Sequence, residues 1–149
     1  MEMINKATDN ISFHYQMSGF KFPNRTQLKT FLATLFKREK KALEELSYIF
    51  CTDEYLLEII RSFLQHDYYT DIISFELADK KQPSQGEIYI SIDRVKENAR
   101  DIGESFQREL HRVIFHGALH LCGYRDKSAK ETALMRAKEN EYLDLYFNN

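Results

Sequence analysis

A chain of 149 residues is long enough to bury one substantial core and too short for two ordinary domains. Hydrophobic residues make up 43% and charged residues 30%, which excludes a disordered chain, and a net charge of -2 excludes a uniformly basic duplex-coating protein, so any nucleic-acid surface must be local. No apolar run approaches the ~20 residues a bilayer span needs, and Glu2, Asn5, Lys6 and Asp9 do not read as a signal peptide, so a cytoplasmic address is expected.

With no internal repeat, low-complexity tract or Pro/Gly-rich linker, one continuous domain over residues 1–149 is expected. Ile11, Phe13, Tyr15 and Met17 alternate with Ser12, His14 and Gln16, the period-two pattern of a half-buried strand, which puts His14 on the solvent side. After Pro23, Asn24 offers a cap, and Leu28, Phe31, Leu32, Leu35 and Phe36 recur at helical spacing, predicting a helix to about Lys41. Lys37, Arg38, Lys40 and Lys41 cluster near its end. A helix C-terminus favours cations, so a solvated helix end is preferred there over an RNA track.

Residues 46–51 read as a second strand, and Thr52 and Asp53 cap a helix with Tyr55, Leu56, Ile59, Ile60 and Phe63 on its apolar side. Gln65, His66 and Asp67 break that pattern. Residues 71–77 and 86–93 are β-branched and aromatic runs, joined by a polar stretch containing Pro83, and read as a hairpin or near-hairpin. From about Arg94 the chain turns helical, with an interruption at Gly103. A long amphipathic helix over residues 104–121 then turns Phe106, Leu110, Val113, Ile114 and Ala118 inward, and Gly123 supplies its stop. Ser128 and Glu131 form a capping-box pattern opening a last helix that carries Leu134, Ala137, Tyr142, Leu145 and Tyr146. The expected class is α+β: a small mixed sheet of about four strands packed by about five helices, with a metal site at the end of the long helix.

The chemistry concentrates in that helix. His116 and His120 stand four residues apart on one face, the spacing that lets two imidazoles reach one zinc ion, and at about 100° per residue both lie near Val113, facing inward. Gly123 permits the turn that brings Asp126 back as a third ligand, and two histidines with a carboxylate is a catalytic zinc set. Cys122 lies about 200° around the helix from His120 and is rejected as a ligand. His111, about 140° from His116, fits packing better than ligation. Gly117 occupies the place where a zinc protease carries its general-base Glu, which disfavours peptide hydrolysis. The cysteines Cys51 and Cys122 are expected as thiols.

The string from His116 to Asp126, HGALHLCGYRD, resembles the signature H-G-x-x-H-L-x-G-Y-D-H of the YbeY family of single-strand-specific endoribonucleases, meeting it at His116, Gly117, His120, Leu121, Gly123 and Tyr124. The family's three zinc-binding histidines correspond to His116, His120 and the place held by Asp126; Arg125 stands where the family has aspartate. Residues 67–75 (DYYTDIISF) resemble its D-x-P-T-D-V-L-S-F block and residues 86–91 (GEIYIS) its G-D-I-x-I-S block, so the resemblance covers residues 53–126. It departs at residues 59–64, where the family's proposed catalytic arginine maps to Leu64. Arg61, three residues earlier on the same helix, is the candidate in its place.

The resemblance implies one zinc ion per chain, held by His116, His120 and Asp126, and zinc-activated water hydrolysis of a phosphodiester with His116, His120 and Arg61 as the catalytic set. It implies single-stranded ribosomal RNA as substrate, the ribosome or ribosomal proteins as partners, and a role in ribosomal RNA maturation and ribosome quality control. Thr70, Asp71, Ser74 and Ser91 are placed to border the cleft, although caps and strand-end hydrogen bonds explain them equally well. The alternatives are a ribosome-associated assembly factor with little catalysis, and a zinc hydrolase of small esters or amides.

Overall fold

The computed structural model describes residues 9–64 and 70–148; the expectations for Gln65, His66, Asp67 and Tyr69 lie outside the described residues. Strands β1 (Ile11–Gln16), β2 (Leu43–Cys51), β3 (Ile72–Glu76) and β4 (Ser84–Ser91) form one sheet in the order β1-β2-β4-β3. β1–β2 and β2–β4 pair in parallel and β3–β4 antiparallel, so the sheet is mixed and the expected hairpin is present. Each parallel pairing requires a crossover. Helix α1 (Arg25–Arg38) makes the first, and α2 (Asp53–Ile59) lies on the second. Helices α3 (Ile92–Ile102), α4 (Phe106–Leu121) and α5 (Ala129–Phe147) complete the expected α+β architecture. No helix among the described residues is long and apolar enough to cross a membrane.

Alternation along the strands sends Tyr48, Phe50, Ile88 and Ile90 to one face, where they form the main core with Leu110, Val113, Ile114 and Ala118 of α4. Cys51 and Ile73 point the other way and make a smaller cluster with Leu56 and Ile60 under α2. Helix α4 packs against β3 and β4 on one side and α3 and α5 on others, which is why ten of its residues are buried. Gly117 is a point of close approach. A Cβ there would stand 2.9 Å from Ile88 Cδ1 and 3.0 Å from Ile72 Cδ1, so the helix seats on the sheet only because that side chain is missing.

Several boundaries and faces differ from expectation for identifiable reasons. α1 ends at Arg38, because Lys40 takes a left-handed φ of 59° and starts β2 at Leu43. Asn24 sits at the N-cap without a side-chain cap bond. β4 ends at Ser91, whose hydroxyl accepts from Arg94 N–H and opens α3. Phe63 is 68% exposed, because α2 continues as a π-helical turn over Ile60–Leu64, and the wider turn rotates it out of register with Leu56 and Ile60. On α5 the buried face is Met135, Glu139, Tyr142 and Leu143, whereas Leu134 and Leu145 are exposed. The displaced register brings Glu139, a charged residue, inside.

Candidate metal centre

The end of α4 is built to turn the chain back on itself. Tyr124 N–H donates to Leu119 O at 3.1 Å and Gly123 N–H to His120 O at 3.0 Å, the paired bonds of a Schellman stop, with Gly123 at φ 109°. A β-carbon is strongly disfavoured at that φ, so glycine sets the direction in which the chain leaves the helix. The return is pinned at its other end. Ser128 and Glu131 form the expected capping box at α5, and Thr132 Oγ1 donates to Asp126 O at 3.0 Å. Tyr124 is tied to α1 through its hydroxyl, which donates to Glu39 Oε1 at 2.8 Å.

Between these two anchors Asp126 meets both histidines. Its Oδ2 lies 3.3 Å from His116 Nε2 and its Oδ1 3.9 Å from His120 Nε2, and one donor atom from each residue falls within 4.8 Å of the others. Tetrahedral zinc with bonds of about 2.0–2.1 Å separates its ligand atoms by about 3.3 Å. The His116–Asp126 pair already has that spacing, and His120 closes it with a small side-chain adjustment. The donor set of two imidazoles and one carboxylate, with a side of the triad open to solvent, therefore fits zinc. His120 is the exposed member, at 41% against 21% for His116, which corrects the expectation that both face inward.

Behind His116 stands Glu139, which sequence reasoning passed over. Its Oε2 lies 2.6 Å from His116 Nδ1, and its Oε1 receives Arg112 at 3.5 Å and Arg136 at 3.4 Å. A carboxylate only accepts, so Nδ1 carries the proton and Nε2 presents its lone pair to the metal position. Burial works against the charged imidazole, but the hydrogen bond and charge of Glu139, joined by Asp126 and Asp71, raise the His116 pKa above its ordinary value. The sequence signal was the spacing of Met135, Glu139, Tyr142 and Leu143, which places a glutamate on a buried helical stripe.

The remaining expected residues separate clearly. Asp71 borders the cavity of about 220 Å3 beside His116 and Asp126, and burial raises its carboxyl above the usual range. Ser74 borders a second cavity, of about 290 Å3, beside His120. Ser91 is occupied as a cap and donates to Asp53 Oδ1 at 2.6 Å, while Thr70 reaches Asp71 at 3.5 Å. Arg61 pairs with Glu58 at 3.4 Å and lines neither cavity. Cys122 lies outside the triad, its thiol pushed up to about 12 by burial and by Glu39. His111 packs between helices against Tyr146, Phe147 and Phe115, with Nδ1 2.7 Å from Gln107 O. His14 is exposed on β1, 3.0 Å from Ser12 Oγ.

Fold and site together define a mixed α+β protein whose central helix ends in a histidine pair completed by a carboxylate beyond the turn. Comparison with known proteins places that arrangement. Residues 21–146 match the family described as Endoribonuclease YbeY. The chain is 49% identical over 137 residues to the endoribonuclease YbeY of Cytophaga hutchinsonii, covering 92% of this chain and 96% of that one. It is 46% identical over 138 residues to that of Flavobacterium psychrophilum, covering 91% and 96%. A Thermotoga maritima protein solved in solution superposes with a TM-score of 0.63 at 26% identity, covering 93% of this chain and 89% of that one. The chain belongs to the YbeY family.

Proposed function

We propose that this chain is a zinc-dependent, single-strand-specific endoribonuclease that acts in ribosomal RNA maturation. The observation that carries the reading is the His116, His120 and Asp126 cluster, with Glu139 fixing the tautomer of His116. Family membership supports the substrate class, since relatives 49% and 46% identical carry the name endoribonuclease. Bound zinc supplies Lewis acidity and lowers the pKa of water for attack on a phosphodiester. The protein's part is to hold one such ion: His116 and His120 through Nε2, Asp126 through its carboxylate, and Glu139 by keeping His116 from turning. Arg61 is the proposed catalytic cation, which brings Arg61 and the RNA together only if the strand reaches the end of α2. We further place the protein in the cytoplasm, as one domain over residues 1–149, with the ribosome or its proteins as partners and a share in ribosome quality control.

The reading is tested by cleavage of a single-stranded RNA by wild type, by His120→Ala and by chelated protein, with a duplex of the same sequence alongside. Wild type should cut the single strand alone, and both losses of the metal should abolish cutting. Equal residual cleavage in His120→Ala overturns metal catalysis. A second reading, an assembly factor that binds ribosomal RNA with little catalysis, is favoured by Leu64 standing where the family carries its arginine; RNA binding without cleavage in the same assay would establish it. A peptidase is opposed by Gly117, because the contacts with Ile88 and Ile72 leave no room for a general-base glutamate there.

A further inference from the structure

Two cavities flank the histidine pair, and they differ in charge: carboxylates outnumber cations on the His116 side, whereas two lysines balance two carboxylates on the His120 side. On the His116 side, Asp71, Glu109, Asp126 and Glu139 face two cations among the described residues, and both are committed: Arg112 to Glu109 at 3.3 Å and Glu139 at 3.5 Å, and Arg136 to Glu139 at 3.4 Å. A polyanion has nothing to gain there. On the His120 side, the cavity is lined by Lys41 and Lys80, and among the described residues neither forms an ion pair. Of its carboxylates, Glu76 is occupied by Ser84 Oγ at 2.6 Å and by the N–H of Gln85 at 2.8 Å, which leaves Asp79 as the one with no side-chain partner among the described residues. Lys41 also lines a neighbouring cavity of about 480 Å3 together with Lys37, which likewise forms no ion pair among the described residues. The basic cluster at the end of α1 is thus divided: Arg38 is spent on Glu141 at 2.9 Å and on the ring of Tyr142, while Lys37 and Lys41 border open space that leads to His120.

We infer that the RNA strand reaches the metal centre from the His120 side, its phosphates held by Lys37, Lys41 and Lys80, with the His116 side closed to it. The inference rests on the endoribonuclease reading and adds the path of the strand to it. The greater exposure of His120 agrees, since the ligand nearer the strand has to remain open to it. Each phosphate contact on a single strand contributes about 0.7 to the slope of log affinity against log salt, so three contacts amount to about 2 in slope and about 100-fold in affinity at 0.1 M salt.

The test measures binding of a labelled single-stranded oligoribonucleotide to chelator-treated protein across a salt series, and zinc content and cleavage in the zinc-loaded protein. The triple variant Lys37→Gln, Lys41→Gln, Lys80→Gln should lose most of that slope and bind up to about 100-fold more weakly at 0.1 M salt, with its zinc stoichiometry unchanged. Asp79→Asn should bind more tightly than wild type. The charge-matched variant Lys21→Gln, Lys29→Gln, Lys96→Gln, whose lysines line neither cavity, should bind as wild type does. Cleavage by wild type together with an unmoved slope in the triple variant, or an equal loss in the charge-matched variant, overturns the track alone. A wild type that neither binds nor cleaves RNA overturns the track and the endoribonuclease reading together.

Discussion

Replacing Glu139 by glutamine removes one charge and almost no volume, and the geometry says why it should still weaken the metal site. The carboxylate serves two sets of donors: Oε2 takes His116 Nδ1 at 2.6 Å, and Oε1 takes Arg112 and Arg136 at 3.5 and 3.4 Å. An amide has one accepting oxygen. If it faces His116, its NH2 meets two guanidinium groups; if it faces the arginines, its NH2 meets Nδ1 and forces the proton onto Nε2, the atom that has to bind metal. The first choice sets donor against donor in a buried place and loosens the hold on His116, and the second costs the histidine its pre-set tautomer. Loss of such an outer partner lowers metal affinity by about 10–100-fold, or about 1.4–2.8 kcal/mol. Arg112 keeps Glu109 at 3.3 Å and Asn140 at 3.0 Å, so the fold should survive. The assay is competition for zinc against a chromophoric chelator, with a thermal melt as the fold control. Glu109→Gln disturbs the same arginine without touching His116 and should leave zinc affinity unchanged. A zinc affinity for Glu139→Gln within threefold of wild type, or an equal loss in Glu109→Gln, would refute the argument.

Asp126→Ala removes a proposed ligand and should lower zinc affinity by more than the about 100-fold of an outer partner, with the circular dichroism spectrum retained; unchanged zinc stoichiometry would remove Asp126 from the metal. Gly117→Ala brings a methyl to 2.9–3.1 Å from the Ile88 and Ile72 side chains, and overpacking of about 1–3 kcal/mol, less about 1 kcal/mol of gained helix propensity, should appear as reduced stability in urea. For Glu39, burial pushes the carboxyl up, but hydrogen bonds from Tyr142, Tyr124 and Lys138 outweigh it and hold the pKa below the ordinary 4.5. A lowered folded pKa means stability that is present above the unfolded value and lost as pH falls through the folded one, so wild type should exceed Glu39→Gln in stability at neutral pH and converge with it in acid. Stability curves that stay parallel down to the acid transition would count against it.

What could be read from the sequence was what depends on period and on single residues with forced conformations. The alternation in β1, the α4 stripe of Leu110, Val113, Ile114 and Ala118, the stop at Gly123 and the box at Ser128 and Glu131 all follow from local geometry, and all stand in the structure. The histidine pair was legible for the same reason, since four residues on a helix fix its spacing. What could not be read was set by partners distant in sequence. The spacing of Glu139 with Met135, Tyr142 and Leu143 could place it on a buried stripe, but the partners that hold it there, His116 and Arg112, come from 23 and 27 residues away. Phe63 turned outward because a π turn adds a residue to the helix, which no count at 3.6 per turn anticipates.

The position of Glu39 joins these two classes. It lies one residue past the end of α1, where the sequence shows only a basic run, yet it receives the hydroxyls of Tyr124 and Tyr142 and the ammonium of Lys138. Tyr124 follows Gly123 in the turn that carries Asp126, so the loop holding one ligand is anchored to α1 and α5, while the two histidines ride on α4. The third proposed ligand is therefore placed by tertiary contacts and the first two by a helix. A perturbation of Glu39 should then reach the metal only through Asp126, leaving the His116–Glu139 pair as it stands. The spacing between His120 and Asp126, already the longer of the two at 3.9 Å, is where any loosening of that loop would first be felt.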